Sequence, residues 1–223
     1  MALSPGTVLG HYEISSSLGA GGMGEVYRAR DTKLAREVAI KVMPEAVAAD
    51  PERLARFQRE AKSLAALNHA NVATLYGLET LVPVLPAGED SSAGGEGARA
   101  AAPIPFLVME LVEGPTLADT IAQGPLEWGQ AARLFVEIAS GLEAAHERGI
   151  VHRDLKPANV KLGVDRVTGA SNVKLLDFGL AKAMEAADPS SGGSAADLTR
   201  SPTLTLAATM RGEVMGTAGY MAP

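Results

Sequence analysis

The stretch VHRDLKPAN, at residues 151–159, constrains the fold of this chain more than any other feature. It places Asp154, Lys156 and Asn159 within six residues, directly after a predicted helix. An Asp can orient a hydroxyl group and accept its proton, a Lys can steady a phosphoryl group, and an Asn side-chain oxygen can bind Mg²⁺. The string is too specific for an ordinary polar loop, so it predicts a catalytic loop that the fold must hold in place.

A second polar group stands at the end of an apolar run. The sequence DFG, residues 177–179, follows the run 173–176, which with residues 160–162 predicts a short strand hairpin. An Asp in this place can simply cap a turn. With Asn159 upstream, however, a hard-cation site built from oxygen ligands that include Asp177 is the better interpretation.

The sequence LGAGGMGEV contains Gly19, Gly21, Gly24 and Val26 in the pattern G-x-G-x-x-G-x-V. Glycine has no Cβ, so the backbone can approach phosphate oxygens closely and point N–H groups at them. By itself the pattern is equally typical of a flexible hairpin. A dinucleotide-binding site is the rival, but it needs a helix after the glycines, and residues 25–29 alternate like a strand.

Lys41 ends the strand-like sequence VAIK, and a lysine at a strand end is usually solvated. Glu60 changes this interpretation, because it lies three residues after Phe57 and four before Leu64, on the apolar face of a predicted helix. A carboxylate on that face is costly unless it is paired. Lys41 is the partner that we predict, and such a pair would fix positive charge where a phosphate binds.

The composition excludes several classes of protein. The chain is 47% hydrophobic, which allows a sizeable core, and its net charge of −6 argues against nucleic acid as the main partner, although local basic patches stay open. It has no cysteine, so disulfides and cysteine-ligated zinc are excluded. The N-terminus lacks the pattern of a secretory signal, and no apolar run has the length of a membrane span. We therefore expect a soluble cytoplasmic protein, or the cytoplasmic part of a longer one, with no membrane segment in these 223 residues.

The first part of the chain reads as strand-rich and the later part as helical. Helix signals are clearest after Asp50, which can cap a helix that Pro51 begins. The predicted strands are residues 11–17, 25–30, 37–43, 72–78 and 106–112. One predicted helix begins at residue 50, and a second covers residues 126–148. Residues 83–105 and about 184–214 read as unstructured, because each is longer than an ordinary loop and has a loop-like composition.

The order and spacing of these motifs resemble the eukaryotic-type protein kinase superfamily, and in particular bacterial Ser/Thr protein kinases. The resemblance covers Tyr12 to Pro223. It implies an α+β, two-lobed fold with an antiparallel-sheet N-lobe and an incomplete helical C-lobe. The implied divisions are a tail at 1–11, an N-lobe and hinge at 12–112 with a flexible insertion at 83–105, and a partial C-lobe at 113–223 with an activation segment at 177–223.

The resemblance also implies roles for single residues, with ATP and Mg²⁺ as cofactors. Asp154 would be the catalytic base and Lys156 would assist the γ-phosphoryl group, while Asn159 and Asp177 would hold Mg²⁺. Lys41, paired with Glu60, would contact the α and β phosphates. The implied nucleotide-binding positions are Gly19, Gly21 and Gly24 over the phosphates, Val26 and Ala39 above the adenine, and Met109, Glu110 and Val112 at the gatekeeper and hinge.

Further positions follow from the same resemblance. Four apolar positions would link the two lobes, namely Leu64, Leu75, His152 and Phe178. Lys161 departs from the family pattern, because an apolar residue usually lies there under the adenine ring. The stem of Lys161 could still pack at that position with its ammonium group in water.

Lys156 in DLKPAN and Thr217 in GTAGYMAP resemble the Ser/Thr-directed pattern, which implies protein substrates that bear Ser or Thr. Arg153 implies control by phosphorylation, since an arginine there can pair with a phosphate on the activation segment. Thr203 and Thr205 are the first candidates, followed by Thr209 and Thr199. The alternative is that they are ordinary loop threonines. Self-association for phosphorylation in trans is a further expectation.

The sequence stops at Met221-Ala222-Pro223, where the family continues with a Glu and further helices. We therefore expect an N-terminal portion of a Ser/Thr kinase, with little turnover by these 223 residues themselves. The alternative is a truncated, non-catalytic remnant that binds nucleotide or a partner. The coding sequence downstream of Pro223 would distinguish the two.

Overall fold

The chain divides into two units, each built from separate parts of the sequence. The computed structural model describes residues 2–21, 24–84, 103–164 and 171–178. The first unit takes residues 1–61 and 74–111, and the second takes residues 62–73 and 112–223. The second unit thus includes a short segment that lies, in sequence, between two strands of the first.

An antiparallel sheet of seven strands forms most of the first unit, in the order β5-β7-β4-β3-β2-β1-β6. The strands are β1 (Val8–Leu9), β2 (Tyr12–Gly21), β3 (Gly24–Asp31), β4 (Arg36–Val42), β5 (Leu75–Leu81), β6 (Pro83–Val84) and β7 (Ile104–Glu110).

The two faces of this sheet have different residues because side chains alternate along each strand. The core lies on one face, where Tyr27 and Ala29 of β3 cluster with Val38, Ile40 and Val42 of β4. The intervening residues of the same strands therefore lie on the opposite face. That face carries the predicted nucleotide-binding positions of β3 and β4.

Two helices follow β4, namely α1 (Glu45–Ala48) and α2 (Pro51–Ala65). The N-terminus of α2 forms as predicted: the Asp50 Oδ1 atom accepts N–H bonds from Glu52 at 2.9 Å and from Arg53 at 3.2 Å. These bonds satisfy N–H groups that have no partner within the helix. Phe57 and Ala61 are buried on the predicted apolar face.

The second unit contains helices and a two-stranded sheet. Its elements are α3 (Leu117–Ala122), α4 (Trp128–His146), a 3₁₀ turn (Pro157–Asn159), β8 (Val160–Val164) and β9 (Ser171–Leu175). Strands β8 and β9 pair antiparallel as predicted, with Val160 opposite Leu175. Helix α4 buries Ile138, Gly141 and Ala145 on one side. None of the helices in the described ranges has the length and apolar character needed to cross a lipid bilayer.

The structure differs from the predicted boundaries at the N-terminus and at the insertion. Residues 8 and 9 form β1 within the sheet, and Leu3 and Thr7 are buried, so the residues predicted as a tail belong to the first unit. Residues 83 and 84, predicted to begin the insertion, form β6 and pair with β1. A strand of two residues is too short to show the alternation of apolar and polar residues that predicts a strand. Only its pairing with a neighbouring strand identifies it. Residues 85–102 of the insertion, and the predicted unstructured stretch 184–214, lie outside the described residues.

Candidate active site

The predicted catalytic loop brings its polar side chains together. Asp154 is 5% exposed, and the Lys156 Nζ atom lies 2.8 Å from the Asp154 Oδ2 atom. The Asn159 Nδ2 atom donates to the Asp154 carbonyl oxygen at 2.8 Å and to Oδ2 at 3.2 Å. The 3₁₀ turn that starts at Pro157 carries Asn159 back toward Asp154. The loop therefore holds one carboxylate between an ammonium group and an amide.

Asp177 follows β9, and the residue before it, Leu176, is hydrogen-bonded to the same loop. The backbone N–H of Leu176 donates to the Asn159 carbonyl oxygen at 2.9 Å. Asp177 has φ of 57° and Arg153 has φ of 65°, which is the left-handed region that non-glycine residues rarely adopt. Such residues cluster at functional sites, where the surrounding structure holds them in place. The structure thus brings Asp154, Lys156, Asn159 and Asp177 into one region of the second unit.

His152 and Phe178 pack against each other beneath this region, with ring centroids 4.5 Å apart. Both are 2% exposed. Burial lowers the pKa of the His152 imidazole below its usual range, although the carboxylates of Asp154 and Asp177 act in the opposite direction. A neutral ring is consistent with the apolar linking role that the sequence predicts for this position.

The donor set fits a hard cation. The Asn159 amide nitrogen makes both bonds to Asp154, so the amide oxygen is left to bind a ligand. The Asp177 carboxylate has oxygen atoms of the kind that Mg²⁺ prefers as ligands, and its predicted role as a second ligand stays a prediction. Within the described ranges no three His, Cys, Asp or Glu side chains group closely enough to hold a metal. Two protein oxygens are typical of a site that is completed by substrate phosphates and water.

In the first unit, four predicted nucleotide-binding residues share one face of the sheet. Val26 of β3 pairs with Lys41 of β4, and Ala39 of β4 pairs with Met109 of β7. Paired residues point to the same face, as do residues two apart along a strand. Val26, Ala39, Lys41 and Met109 therefore line the face opposite the core cluster.

Gly19, Gly21 and Gly24 lie in the β2–β3 hairpin, where Gly21 pairs with Gly24. Gly24 has φ of 104°, and a Cβ there would lie 2.2 Å from the Val42 carbonyl oxygen, so the fold itself requires glycine. At Gly19 an added Cβ would meet nothing within 4 Å. The space around residue 19 therefore does not require glycine, and the predicted role of Gly19 at the phosphates stays a prediction.

Lys41 and Glu60 are both placed in the first unit. Lys41 is 2% exposed, and one carboxylate oxygen of Glu60 is shielded from solvent on the apolar side of α2. Each makes at least one polar or electrostatic contact with another residue. Their pairing with each other stays a prediction. Leu64 and Leu75, predicted to link the lobes, are both buried.

The predicted hinge spans the boundary between the units. Glu110 is anchored to Thr74, because its N–H donates to the Thr74 carbonyl oxygen at 2.8 Å and its Oε2 accepts the Thr74 N–H at 3.0 Å. Val112 belongs to the second unit. The Lys161 Nζ atom donates to the Gly114 carbonyl oxygen at 2.5 Å, and this hydrogen bond is exposed to solvent. The ammonium group of Lys161 is therefore hydrogen-bonded to the backbone at the protein surface.

The predicted regulatory residues are described only at Arg153. Thr199, Thr203, Thr205, Thr209 and Thr217 lie outside the described residues, as does Gly179. Arg153 makes a polar or electrostatic contact with another residue. Its pairing with a phosphate stays a prediction.

The model of the protein kinase domain matches residues 12–223 of this sequence. The chain belongs to the protein kinase domain family. The family that the motifs predicted is therefore confirmed.

The kinase domain resembles curated bacterial proteins. It is 36% identical over 213 residues to "Serine/threonine-protein kinase PknB" of Mycobacterium leprae, covering 95% of this chain and 28% of the relative. It is 38% identical over 215 residues to "Probable serine/threonine-protein kinase SCO3848" of Streptomyces coelicolor, covering 96% of this chain and 26% of the relative. The chain thus spans little more than a quarter of the length of these relatives.

A solved structure, the crystal structure of the PknI kinase domain of Mycobacterium tuberculosis, has the same fold as this kinase domain. The TM-score is 0.62 at 29% identity, over 81% of this chain and 64% of that one. The predicted α+β kinase fold with an antiparallel N-terminal sheet is confirmed.

Two side chains of the second unit contact β9 but were not singled out from the sequence, namely Asn71 and Glu137. Both bond the β9 backbone at Val173. Glu137 lies on α4, and it is 66 residues from Asn71 along the chain. No local pattern reports a contact between residues so far apart. The phrase LNHAN, which contains Asn71, was the one sequence signal nearby.

Proposed function

We propose that this kinase domain transfers the γ-phosphoryl group of ATP to Ser and Thr hydroxyl groups of proteins. The observation that carries the proposal is the buried Asp154 carboxylate, held 2.8 Å from the Lys156 ammonium group and bonded by Asn159. The similarity to bacterial proteins named as Ser/Thr kinases supports the choice of acceptor.

The proposed reaction is a single displacement at phosphorus. The acceptor hydroxyl oxygen forms a bond to the γ-phosphorus while the bond from that phosphorus to the β–γ bridging oxygen breaks, which releases ADP. Asp154 orients the hydroxyl group and receives its proton. Lys156 keeps positive charge beside Asp154 and the incoming phosphoryl group, which carries negative charge.

The remaining roles concern binding of the nucleotide. Asn159 and Asp177 would hold Mg²⁺ through their side-chain oxygens, and the ion supplies positive charge against the β and γ phosphates. Lys41 is proposed to contact the α and β phosphates, with Glu60 as its partner. The backbone of the hairpin at Gly19 to Gly24 would cover the phosphates. Because ATP is the proposed donor, the cytoplasm is the proposed place of action.

Substitution of three residues in the full-length protein tests this function. We expect Lys41→Met, Asp154→Asn and Asp177→Asn each to lower phosphate transfer from Mg²⁺–ATP by about 10²–10⁴-fold, because each removes a charge used in the reaction. Lys62→Met is the control, because Lys62 is an exposed lysine on α2. The measurement is transfer of labelled γ-phosphate to a protein substrate.

Several results would contradict parts of the proposal. Undiminished transfer in any one variant would remove the role given to that residue. Phosphotyrosine in the labelled product would overturn the proposed acceptor. Binding of Mg²⁺–ATP by the wild-type protein, without any transfer, would favour the alternative of a non-catalytic, nucleotide-binding remnant.

Control by phosphorylation is the regulatory part of the proposal. Thr203, Thr205 or Thr209, modified in trans by a second copy, would pair with Arg153 and order the segment. Mass spectrometry of the active protein and of an Asp154→Asn copy incubated with it would locate the modified threonines. Absence of phosphate from all three in both samples would rule out this mechanism.

A further inference from the structure

The backbone of β9 is held at Val173 by side chains on its side away from β8. The Val173 N–H donates to the Glu137 Oε2 atom at 2.7 Å, and the Asn71 Nδ2 atom donates to the Val173 carbonyl oxygen at 3.0 Å. Val173 is fully buried. A buried backbone group without a partner costs about 1–3 kcal/mol, so both contacts matter for the position of the strand.

Glu137 and Asn71 also bind each other. The Asn71 Nδ2 atom donates to Glu137 Oε2 at 3.2 Å, so one carboxylate oxygen accepts two N–H groups. The Asn71 backbone adds a third tie, because the Leu175 N–H donates to the Asn71 carbonyl oxygen at 2.8 Å. The Ala73 N–H then donates to the Leu175 carbonyl oxygen at 3.0 Å. Residues 71–73 and Glu137 together replace a third strand beside β9.

A glycine in α4 allows this helix to pack closely against the segment that contains Asn71. Gly141 lies one turn after Glu137, and a Cβ on it would be 3.0 Å from the Asn71 carbonyl oxygen and 2.9 Å from Leu175 Cδ1. The missing side chain therefore allows α4 to approach the segment that carries Asn71. His69 Nδ1 accepts the Asn71 N–H at 3.1 Å, which fixes the start of that segment.

These contacts lie just before the proposed metal ligand. Strand β9 ends at Leu175, and Asp177 is the second residue after it. The N–H of Leu176 is bonded to Asn159. Displacement of β9 at Val173 would therefore move Asp177 relative to Asn159, because the carboxylate follows the anchored strand so closely along the backbone.

We propose that Glu137, acting with Asn71, is a positioning residue that holds Asp177 at the correct place for Mg²⁺; this rests on the metal role proposed for Asp177 above. Glu137 touches neither substrate nor metal. It acts through the backbone of β9. Residues that orient metal ligands in this way affect metal affinity or activity by about 10–100-fold when they are removed.

The test uses two substitutions at Glu137 in the full-length protein. Glu137→Leu removes the acceptor, whereas Glu137→Gln keeps an oxygen that can accept both N–H groups. We expect Glu137→Leu to raise the Mg²⁺ concentration for half-maximal transfer by about 10–100-fold, and Glu137→Gln to restore it to near the wild-type value. Glu143→Leu is the matched control, because Glu143 is exposed on the same helix.

Hydrogen exchange of residues 171–178, measured without nucleotide, is the second readout. We expect faster exchange of the Val173 amide in Glu137→Leu than in Glu137→Gln or Glu143→Leu. Faster exchange with an unchanged Mg²⁺ requirement would overturn the proposal, since Glu137 would then be purely structural. Unchanged exchange would overturn it as well.

A further variant keeps the test decisive if Glu137→Leu does not fold. Asn71→Ala removes the Nδ2 donor and leaves the backbone contacts, so we expect a smaller increase in the Mg²⁺ requirement; no increase would overturn the proposal. Failure of the metal role proposed for Asp177 is distinguishable, because Asp177→Asn would then transfer phosphate with the wild-type Mg²⁺ requirement while the exchange results still report the Glu137 contact. Failure of the proposed function itself would appear as no transfer by the wild-type protein.

Discussion

Two glycines of the β2–β3 hairpin differ in what the surrounding atoms allow. Gly24 has a positive φ and lies against the Val42 backbone, whereas Gly19 faces open space. The sequence pattern treats both as members of one phosphate-binding motif. The structure separates a glycine that the fold needs from one that the fold does not need.

Alanine substitutions should reveal this difference. We expect Gly24→Ala to lower the free energy of unfolding by about 2 kcal/mol or more, through strain and the clash with Val42. Gly19→Ala should leave stability equal or raise it by about 0.5 kcal/mol, because glycine weakens a strand relative to alanine, while ATP affinity falls. Urea denaturation and ATP titration check both expectations. Equal loss of stability in the two variants would contradict this explanation.

Asp31 is a buried carboxylate at the end of β3. Its Oδ1 atom accepts N–H bonds from Lys33 at 3.1 Å and Leu34 at 3.0 Å, and Arg36 Nε lies 3.4 Å from Oδ2. Burial by itself would raise the pKa of Asp31, but the Leu34 N–H, Arg36 and His11 outweigh it and hold the pKa below its ordinary value. Asp31 therefore stabilises the fold most when it is ionised.

Stability should consequently depend on pH through Asp31. The unfolded chain binds a proton at Asp31 more readily than the folded chain, so its contribution is present above a pH of about 4 and is lost as pH falls through the lower folded pKa. We expect Asp31→Asn to reduce the slope of unfolding free energy against pH below about 4. Denaturation curves at a series of pH values measure this slope, with exposed Glu13→Gln as control. Parallel curves for wild type and Asp31→Asn would refute the assignment.

At the scale of elements, α4 contains two glycines in different surroundings. An added Cβ at Gly129 would meet nothing within 4 Å, and Gly129 is exposed. Gly141 is buried against Asn71 and Leu175. Helix propensity favours alanine at both positions, so packing decides the difference between them.

We expect Gly129→Ala to raise the free energy of unfolding by up to about 1 kcal/mol. Gly141→Ala should lower it by about 1–3 kcal/mol, because the new methyl group pushes α4 away from the Asn71 backbone. Thermal and urea unfolding of the two variants provide the measurement. A stabilising Gly141→Ala would show that α4 can shift without cost.

The elements that could be predicted from sequence are those with a local signal. Helix α2 has the Asp50 cap and an apolar stripe, and the β8–β9 hairpin has two apolar runs. Helix α3 was missed because it buries no residue, although Thr116 and Asp119 form a capping box that the sequence displays. Strand β1 was missed because two residues have no periodicity.

At the scale of the whole molecule, the sequence located the residues of the loop at 152–159 and Asp177, but not the side chains that support them. Asp154, Lys156 and Asn159 are neighbours in sequence, so their grouping could be predicted. Asn71 and Glu137 meet Val173 from 102 and 36 residues away. Contacts between residues so far apart in sequence depend on the packing of residues 62–73 within the second unit. The sequence of one segment by itself does not predict that packing.

The side chains of Asn71 and Glu137 also close one border of the β8–β9 sheet. An open strand border offers unpaired N–H and C=O groups to any extended peptide, which is how many proteins begin to aggregate. Here the groups of Val173 are occupied by side chains rather than by a further strand. The same two residues that are proposed to position the Asp177 carboxylate therefore also make the backbone groups of Val173 unavailable for pairing with an extended peptide.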